Sequence, residues 1–133
     1  MNSLADLQLI TNEISIKNNN LAAGQFSVSP TFTRKMGKTS DNKYFTELTI
    51  EMKDKEEARF PIDLRIRLTG IFDLSQIQED QIDSFLKIQA VQILFPYLRT
   101  MVSNITASSL MSPIVLPVID VLKMFPEDQQ TNN

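Results

Sequence analysis

The stretch FPIDLRIRLTGIFDL, Phe60 to Leu74, alternates apolar and polar residues along its length. Its even positions are Phe60, Ile62, Leu64, Ile66, Leu68, Gly70, Phe72 and Leu74, while the odd ones include Asp63, Arg65, Arg67, Thr69 and Asp73. Successive side chains of a strand point to opposite faces, so this period of two predicts one long strand with a buried even face and a wet odd face. Gly70 falls on the buried face without a side chain, which predicts a bulge or a close backbone approach there.

Upstream, Tyr44 to Lys53 alternates in the same way, with Leu48, Ile50 and Met52 on one face and Glu47, Thr49, Glu51 and Lys53 on the other. The charged turn Asp54-Lys55-Glu56-Glu57 joins the two, which predicts an antiparallel hairpin. Gln25 to Met36 is a weaker strand with Phe26, Val28, Phe32 and Met36 in phase. Pro30 cannot donate to a ladder, so this strand belongs at an edge or bends there; Gly37 to Asn42 is its turn. Leu7 to Lys17 changes phase between Leu7/Leu9 and Ile14/Ile16, which predicts a bulge near Ile10 to Asn12.

Downstream the period changes. From Ile82 onward, Phe85, Leu86, Ala90, Ile93, Leu94, Tyr97, Leu98, Met101 and Ile105 recur at spacings of three and four and form one broad helical stripe. Glu79 and Asp80 stand near the helix start, where carboxylates favour the dipole. Pro96 lacks an N–H and is expected to kink the helix or split it. Ser108 to Pro117 reads as a loop, Ile119 to Phe125 as a short last helix, and Pro126 to Asn133 as a flexible polar tail. The expected fold is α+β: a four-stranded antiparallel sheet, a long kinked helix packed on it and a short C-terminal helix. The 133 residues are expected to form a single domain, 1–133, with an ordered core of about 7–125.

Composition excludes several kinds of chemistry. The chain has no cysteine and no histidine, so thiol nucleophiles, disulfides, zinc fingers and Ser-His-Asp catalysis are absent. The net charge of -3 argues against a nucleic-acid partner. Two short basic spots, Arg34/Lys35/Lys38 and Arg65/Arg67, read as solvated strand and turn positions. Asp63 and Asp73 stand too far apart to share a proton, and Glu79, Asp80 and Asp83 read as helix-start carboxylates. With three glycines there is no phosphate-cradling loop. No enzyme activity, cofactor or metal is expected. The N-terminus has neither the basic nor the apolar region of a secretion signal. Thr100 to Ile119 is free of charge, but Asn104, Pro113 and Pro117 argue against membrane insertion, so the expected location is cytoplasmic.

The remaining signal is apolar. The stripe Phe85 to Ile105 is wider than packing on one sheet requires, and such surplus marks an interface or a groove. Pro113-Ile114-Val115-Leu116-Pro117 is unusually apolar for a loop, so it must be covered or must itself cover something. Methionines 36, 52, 101, 111 and 124 add adaptable side chains suited to permissive binding.

The order of three motifs resembles the SecB family of protein-export chaperones. They are Gly70-Ile71-Phe72, then Ile93-Leu94-Phe95-Pro96-Tyr97-Leu98-Arg99, then Pro113-Ile114-Val115-Leu116-Pro117-Val118-Ile119. The likeness spans roughly Leu7 to Phe125 and is strongest from Gly70 to Ile119. The resemblance implies an ATP-independent holdase that binds unfolded or precursor polypeptides in hydrophobic grooves, assembled as a homo-oligomer, dimer or tetramer. Carried over by position or apolar character, the polypeptide-binding residues would be Phe45, Leu68, Phe72, Tyr97, Leu116, Val118 and Phe125. The oligomer interface would draw on Phe85, Leu86, Ile93, Leu94 and Met101. If Phe72 and Leu116 line a groove, aspartate at either should weaken client binding and leave the fold intact. The resemblance would also imply docking of an acidic tail to the SecA motor. Residues 126–133 depart from that pattern, with only two acids. The alternative is a dedicated SecB-like adaptor for one partner, such as an antitoxin.

Overall fold

A computed structural model describes residues 7–21, 26, 29–109, 114–117 and 119–125. Four antiparallel strands, β1 (Gln8–Asn18), β2 (Thr31–Lys38), β3 (Tyr44–Met52) and β4 (Ile62–Phe72), form one sheet in the order β1-β4-β3-β2. The two strands with the longest alternation, β3 and β4, are the central pair. Every strand is thus adjacent to a partner that either follows it directly or returns antiparallel, as short connections favour. β2 takes an edge, and Pro30 precedes its first residue rather than interrupting its ladder.

The phase change in β1 is a bulge. The register of β1 on β4 shifts between Thr11 and Glu13, and Asn12, the extra residue, accepts a hydrogen bond from the Thr69 hydroxyl through its side-chain oxygen. Leu9 and Thr11 before the bulge, and Ile14 and Ile16 after it, therefore all lie on the helix side of the sheet.

Helix follows from Glu79 to Ser108 in three parts: α1 (Glu79–Ser84), a π turn (Phe85–Gln89) and α2 (Ala90–Ser108). Pro96 does not split this helix. It lies inside α2 on the exposed side, as does Gln92, whose carbonyl loses its usual donor toward solvent. The departure from α geometry sits earlier, at the π turn. A π turn widens the backbone and frees carbonyls, and two side chains from the sheet reach those of this turn. Thr46 Oγ1 donates to Leu86 O at 2.9 Å and Arg34 Nη1 to Lys87 O at 2.9 Å.

The core lies between the sheet and α2. Leu48, Ile50 and Met52 of β3 and Ile62, Leu64, Ile66 and Leu68 of β4 meet Val91, Leu94, Leu98 and Val102 of α2. Gly70 marks a close approach of helix to sheet, with no bulge: a Cβ there would stand 3.0 Å from both Leu94 Cδ2 and Phe72 Cζ. A second cluster, Phe72, Leu74, Phe85, Leu86 and Ala90, closes the end of the sheet under the π turn.

The β3–β4 connection is tied by carboxylates. Asp54 accepts from Arg59 Nε and Nη2 and from the Phe60 N–H, and Asp63 accepts from the Asp54 N–H and from Asn19 Nδ2. The Arg59 bond chiefly holds the Asp54 carboxyl below its ordinary pKa, and the Asp54 N–H chiefly does so for Asp63. Among the described residues no helix is long and apolar enough to cross a membrane.

Candidate functional site: apolar surface around the long helix

The C-terminal segment returns across α2 as a strap, and polar side chains of the helix hold its backbone. Arg99 donates through Nε and Nη2 to Leu116 O at 3.2 and 3.0 Å, and Ser103 Oγ donates to Ile114 O at 3.0 Å. The Ile114 N–H in turn donates to Thr106 Oγ1 at 2.9 Å. These bonds satisfy backbone groups that a loop lying on an apolar core would otherwise leave unpaired. Beyond the strap, Asp120 caps α3 (Val121–Met124) by accepting from the Leu122 N–H. The chain then reaches Phe125, whose ring lies under the Arg34 guanidinium at 4.2 Å.

Arg34 is a residue that sequence reasoning misplaced. It was expected in a solvated basic spot; instead it lies half-buried on the helix side of β2, tying that strand to the π turn and to Phe125. The available signal was its phase, which it shares with Phe32 and Met36. Arg65 and Arg67 keep to the opposite, outer face, but as members of an ion-pair row. Arg65 bonds Glu13 and Glu51, which raise its pKa, Glu51 most strongly, and Arg67 Nε stands 3.5 Å from Glu13.

The expected polypeptide-binding residues divide sharply by burial. Leu68, Phe72, Leu116 and Phe125 are interior: Phe72 and Leu116 are each 1% exposed. Leu68 and Phe72 lie on the helix side of β4. Phe45 lies on the outer face, half-buried, with its ring so close over Gly37 that a Cβ there would stand 2.8 Å from Cε1. Val118 lies outside the described residues. Tyr97 remains open at 49% exposure.

The expected interface residues divide likewise. Phe85, Leu86 and Leu94 are buried within the chain's own two clusters. The reason is rotation of the helix: i, i+4 spacing groups Ala90, Leu94 and Leu98 toward the sheet. The same spacing lines Ile93, Tyr97 and Met101 along a neighbouring face, where Ile93 and Met101 are only partly buried. α2 packs on β3 and β4 but scarcely on β1. The helix side of β1 is therefore incompletely covered, and Ile14 is 46% exposed. Val115 on the strap and Leu122 on α3 are the other large apolar side chains with high exposure among the described residues.

Two cavities open elsewhere. One of about 460 Å³ lies at the β3–β4 connection, lined by Phe26, Met52 and Phe60 among charged side chains. The other, about 500 Å³, lies beside α1 and is lined by Gln76, Gln78, Gln81, Gln89 and Phe85.

The family described as preprotein translocase subunit SecB matches residues 9–132. The chain belongs to the SecB family. Relatives include an uncharacterized protein of Methanocaldococcus jannaschii, MJ0357, 30% identical over 119 residues, covering 89% of this chain and 75% of that one. Another is protein-export protein SecB of Ruegeria sp., 33% identical over 90 residues, covering 66% of this chain and 55% of that protein. The chain thus spans only about half the length of that curated SecB relative. Among solved structures, the Mycobacterium tuberculosis Rv1957 SecB-like chaperone, in complex with a ChAD peptide from the Rv1956 HigA1 antitoxin, superposes with a TM-score of 0.71 at 12% identity. That match covers 87% of this chain and 92% of that one, and it shows a shared SecB-like fold.

Proposed function

We propose that this SecB-family chain is an ATP-independent holdase that binds non-native or precursor polypeptides and works as a cytoplasmic homo-oligomer. The observation that carries the reading is apolar surface left over once the chain has closed its own core. Tyr97 on α2, flanked by the partly buried Ile93 and Met101, and Ile14 on edge strand β1 stay open, as do Val115 and Leu122 on the C-terminal segment. An exposed apolar surface of this kind marks a partner site. The first set suits a second copy, because an edge strand and a helix stripe together make a self-complementary surface. The second set suits an extended client, which gains ~1.5–3 kcal/mol per fully buried large side chain and loses part of that to ordering.

The test is suppression of aggregation of a chemically denatured protein at stoichiometric amounts, with native mass measured in parallel. A folded, oligomeric protein that suppresses nothing would refute the holdase. A monomer at working concentration would refute the assembly. A second reading, a dedicated adaptor for one partner such as an antitoxin, is favoured by the antitoxin peptide bound to the Rv1957 structure. Retention of a single polypeptide species in a pull-down, where a holdase would retain many, supports it. Delivery to an export motor is a further part of the first reading, motivated by relatives named protein-export protein SecB; binding to purified SecA tests it.

A further inference from the structure

The cavity of about 460 Å³ at the β3–β4 connection shares no lining residue with the open apolar positions Ile14, Tyr97, Val115 and Leu122. Its floor is Phe60 and Met52, 5% and 2% exposed, with the half-buried Phe26 meeting Phe60 edge-on at 6.4 Å. One wall is the turn between β3 and β4, and that turn is fastened at both ends. Lys55 and Ala58 exchange backbone hydrogen bonds of 3.2 and 3.1 Å, while the Asp54 carboxylate accepts from Arg59 and from the Phe60 N–H. Asp63 in turn accepts from the Asp54 N–H. A concavity with an apolar floor and a few polar groups at its mouth has the form of a small-molecule site, and its volume falls within the ~300–1,000 Å³ such sites occupy.

Five charged side chains line the cavity, Glu51, Lys53, Lys55, Glu57 and Arg59, and three of them are already engaged. Glu51 bonds Arg65 and stands 3.7 Å from Lys53, and Arg59 is held by Asp54. Lys55 and Glu57 are left over. Among the described residues neither side chain has an ion pair or a hydrogen bond, and both are exposed on the same turn. A ligand here therefore meets an apolar floor, one unspent cation and one unspent anion. A simple anion drawn by Lys55 is repelled by Glu57, and a simple cation drawn by Glu57 is repelled by Lys55. A molecule that carries both charges beside an apolar group satisfies all three.

We infer that this cavity binds a free α-amino acid with a large apolar side chain. The side chain lies on Phe26, Met52 and Phe60, with the carboxylate toward Lys55 and the ammonium toward Glu57. The site goes beyond the holdase reading and uses none of its surface, so its failure leaves that reading where it stands.

The test titrates the isotopically labelled full chain with L-phenylalanine, N-acetyl-phenylalanine, phenylalanine amide and glycine, followed by amide chemical shifts. L-phenylalanine should give saturable shifts across 55–60 with a Kd of roughly 1–10 mM, as the ligand efficiency of small molecules gives. The acetylated and amidated forms each lack one charge and should bind about two- to fivefold more weakly, the range of one exposed ion pair. Glycine keeps both charges without the side chain and should bind at least about tenfold more weakly. Lys55→Met should remove the preference for phenylalanine over its amide, and Glu57→Gln the preference over the acetylated form. Both positions are exposed, so far-UV circular dichroism should not change.

Equal binding of the three phenylalanine forms, glycine binding within tenfold of phenylalanine, or preferences that survive the two substitutions would each overturn the inference. So would the lack of saturable shifts across 55–60, or saturable shifts confined to other parts of the chain.

Discussion

Phe72→Asp separates a core residue from a groove residue. A side chain lining a client groove can become aspartate without unfolding the protein, whereas one that closes the interior cannot. Phe72 is 1% exposed; its ring meets Phe85 edge-on at 5.3 Å and fills the space beside Gly70. Removing a buried phenylalanine side chain costs ~3–5 kcal/mol, and losing the edge-to-face pair adds ~0.5–1.5 kcal/mol. An unpaired carboxylate in that site adds several more, or neutralises at a similar cost. The total stands against a stability of ~5–15 kcal/mol for a whole domain. The variant should therefore be unfolded or melt in the lowest urea concentrations, read by far-UV circular dichroism. Tyr97→Asp is the control: at 49% exposure it should shift stability by about 1 kcal/mol or less while reducing assembly or client binding. A Phe72→Asp protein with the parent's urea midpoint but no client binding would refute the burial argument and return Phe72 to a groove wall.

Three other outcomes follow from the same contacts. Arg34→Met removes the bond to Lys87 O and the stack on Phe125, so amide exchange across 121–125 should speed up as if local stability fell by ~1–3 kcal/mol; unchanged exchange would show that Arg34 fastens nothing. Thr46→Val keeps the shape but leaves Leu86 O without its donor in the core, and should lower unfolding stability by ~1–3 kcal/mol in urea titration; a neutral result would mean the π turn finds another donor. Asp54 and Asp63 have folded pKa values below the unfolded carboxylate value of about 3.9, so the stability they supply is fully present above that pH and is lost as pH falls through the folded values. Asp63→Asn should flatten the loss of urea midpoint as pH falls below about 3.9, and an unaltered slope would remove Asp63 from the account.

Much of the architecture was legible because strand faces are set locally. Alternation in Phe60–Leu74 and Tyr44–Lys53 placed Leu48, Ile50, Leu64 and Ile66 on one face, and all are interior. The phase change in Leu7–Lys17 predicted a bulge near Ile10 to Asn12, and the register shifts between Thr11 and Glu13, since a single extra residue is what a period of two cannot absorb. The helix does not split at Pro96 because the proline lies on the exposed side, where the Gln92 carbonyl that loses its donor faces solvent. The site was less legible. Tyr97, which the residues alone leave as packing or groove, is open, whereas Phe72, Leu116 and Phe125 are interior. Nothing in their own neighbourhoods distinguishes the two cases.

The sequence by itself determined the strands, their faces, the helix and the lack of side chains for thiol or histidine chemistry, because these depend on composition and on repeats of two and three to four residues. Only the tertiary structure decided which apolar residues are covered. That depends on where α2 crosses the sheet, on the strap that Arg99 and Ser103 hold across it, and on Arg34 reaching from an edge strand to Phe125. Burial is a property of the distant elements packed over a residue, and no local period encodes it.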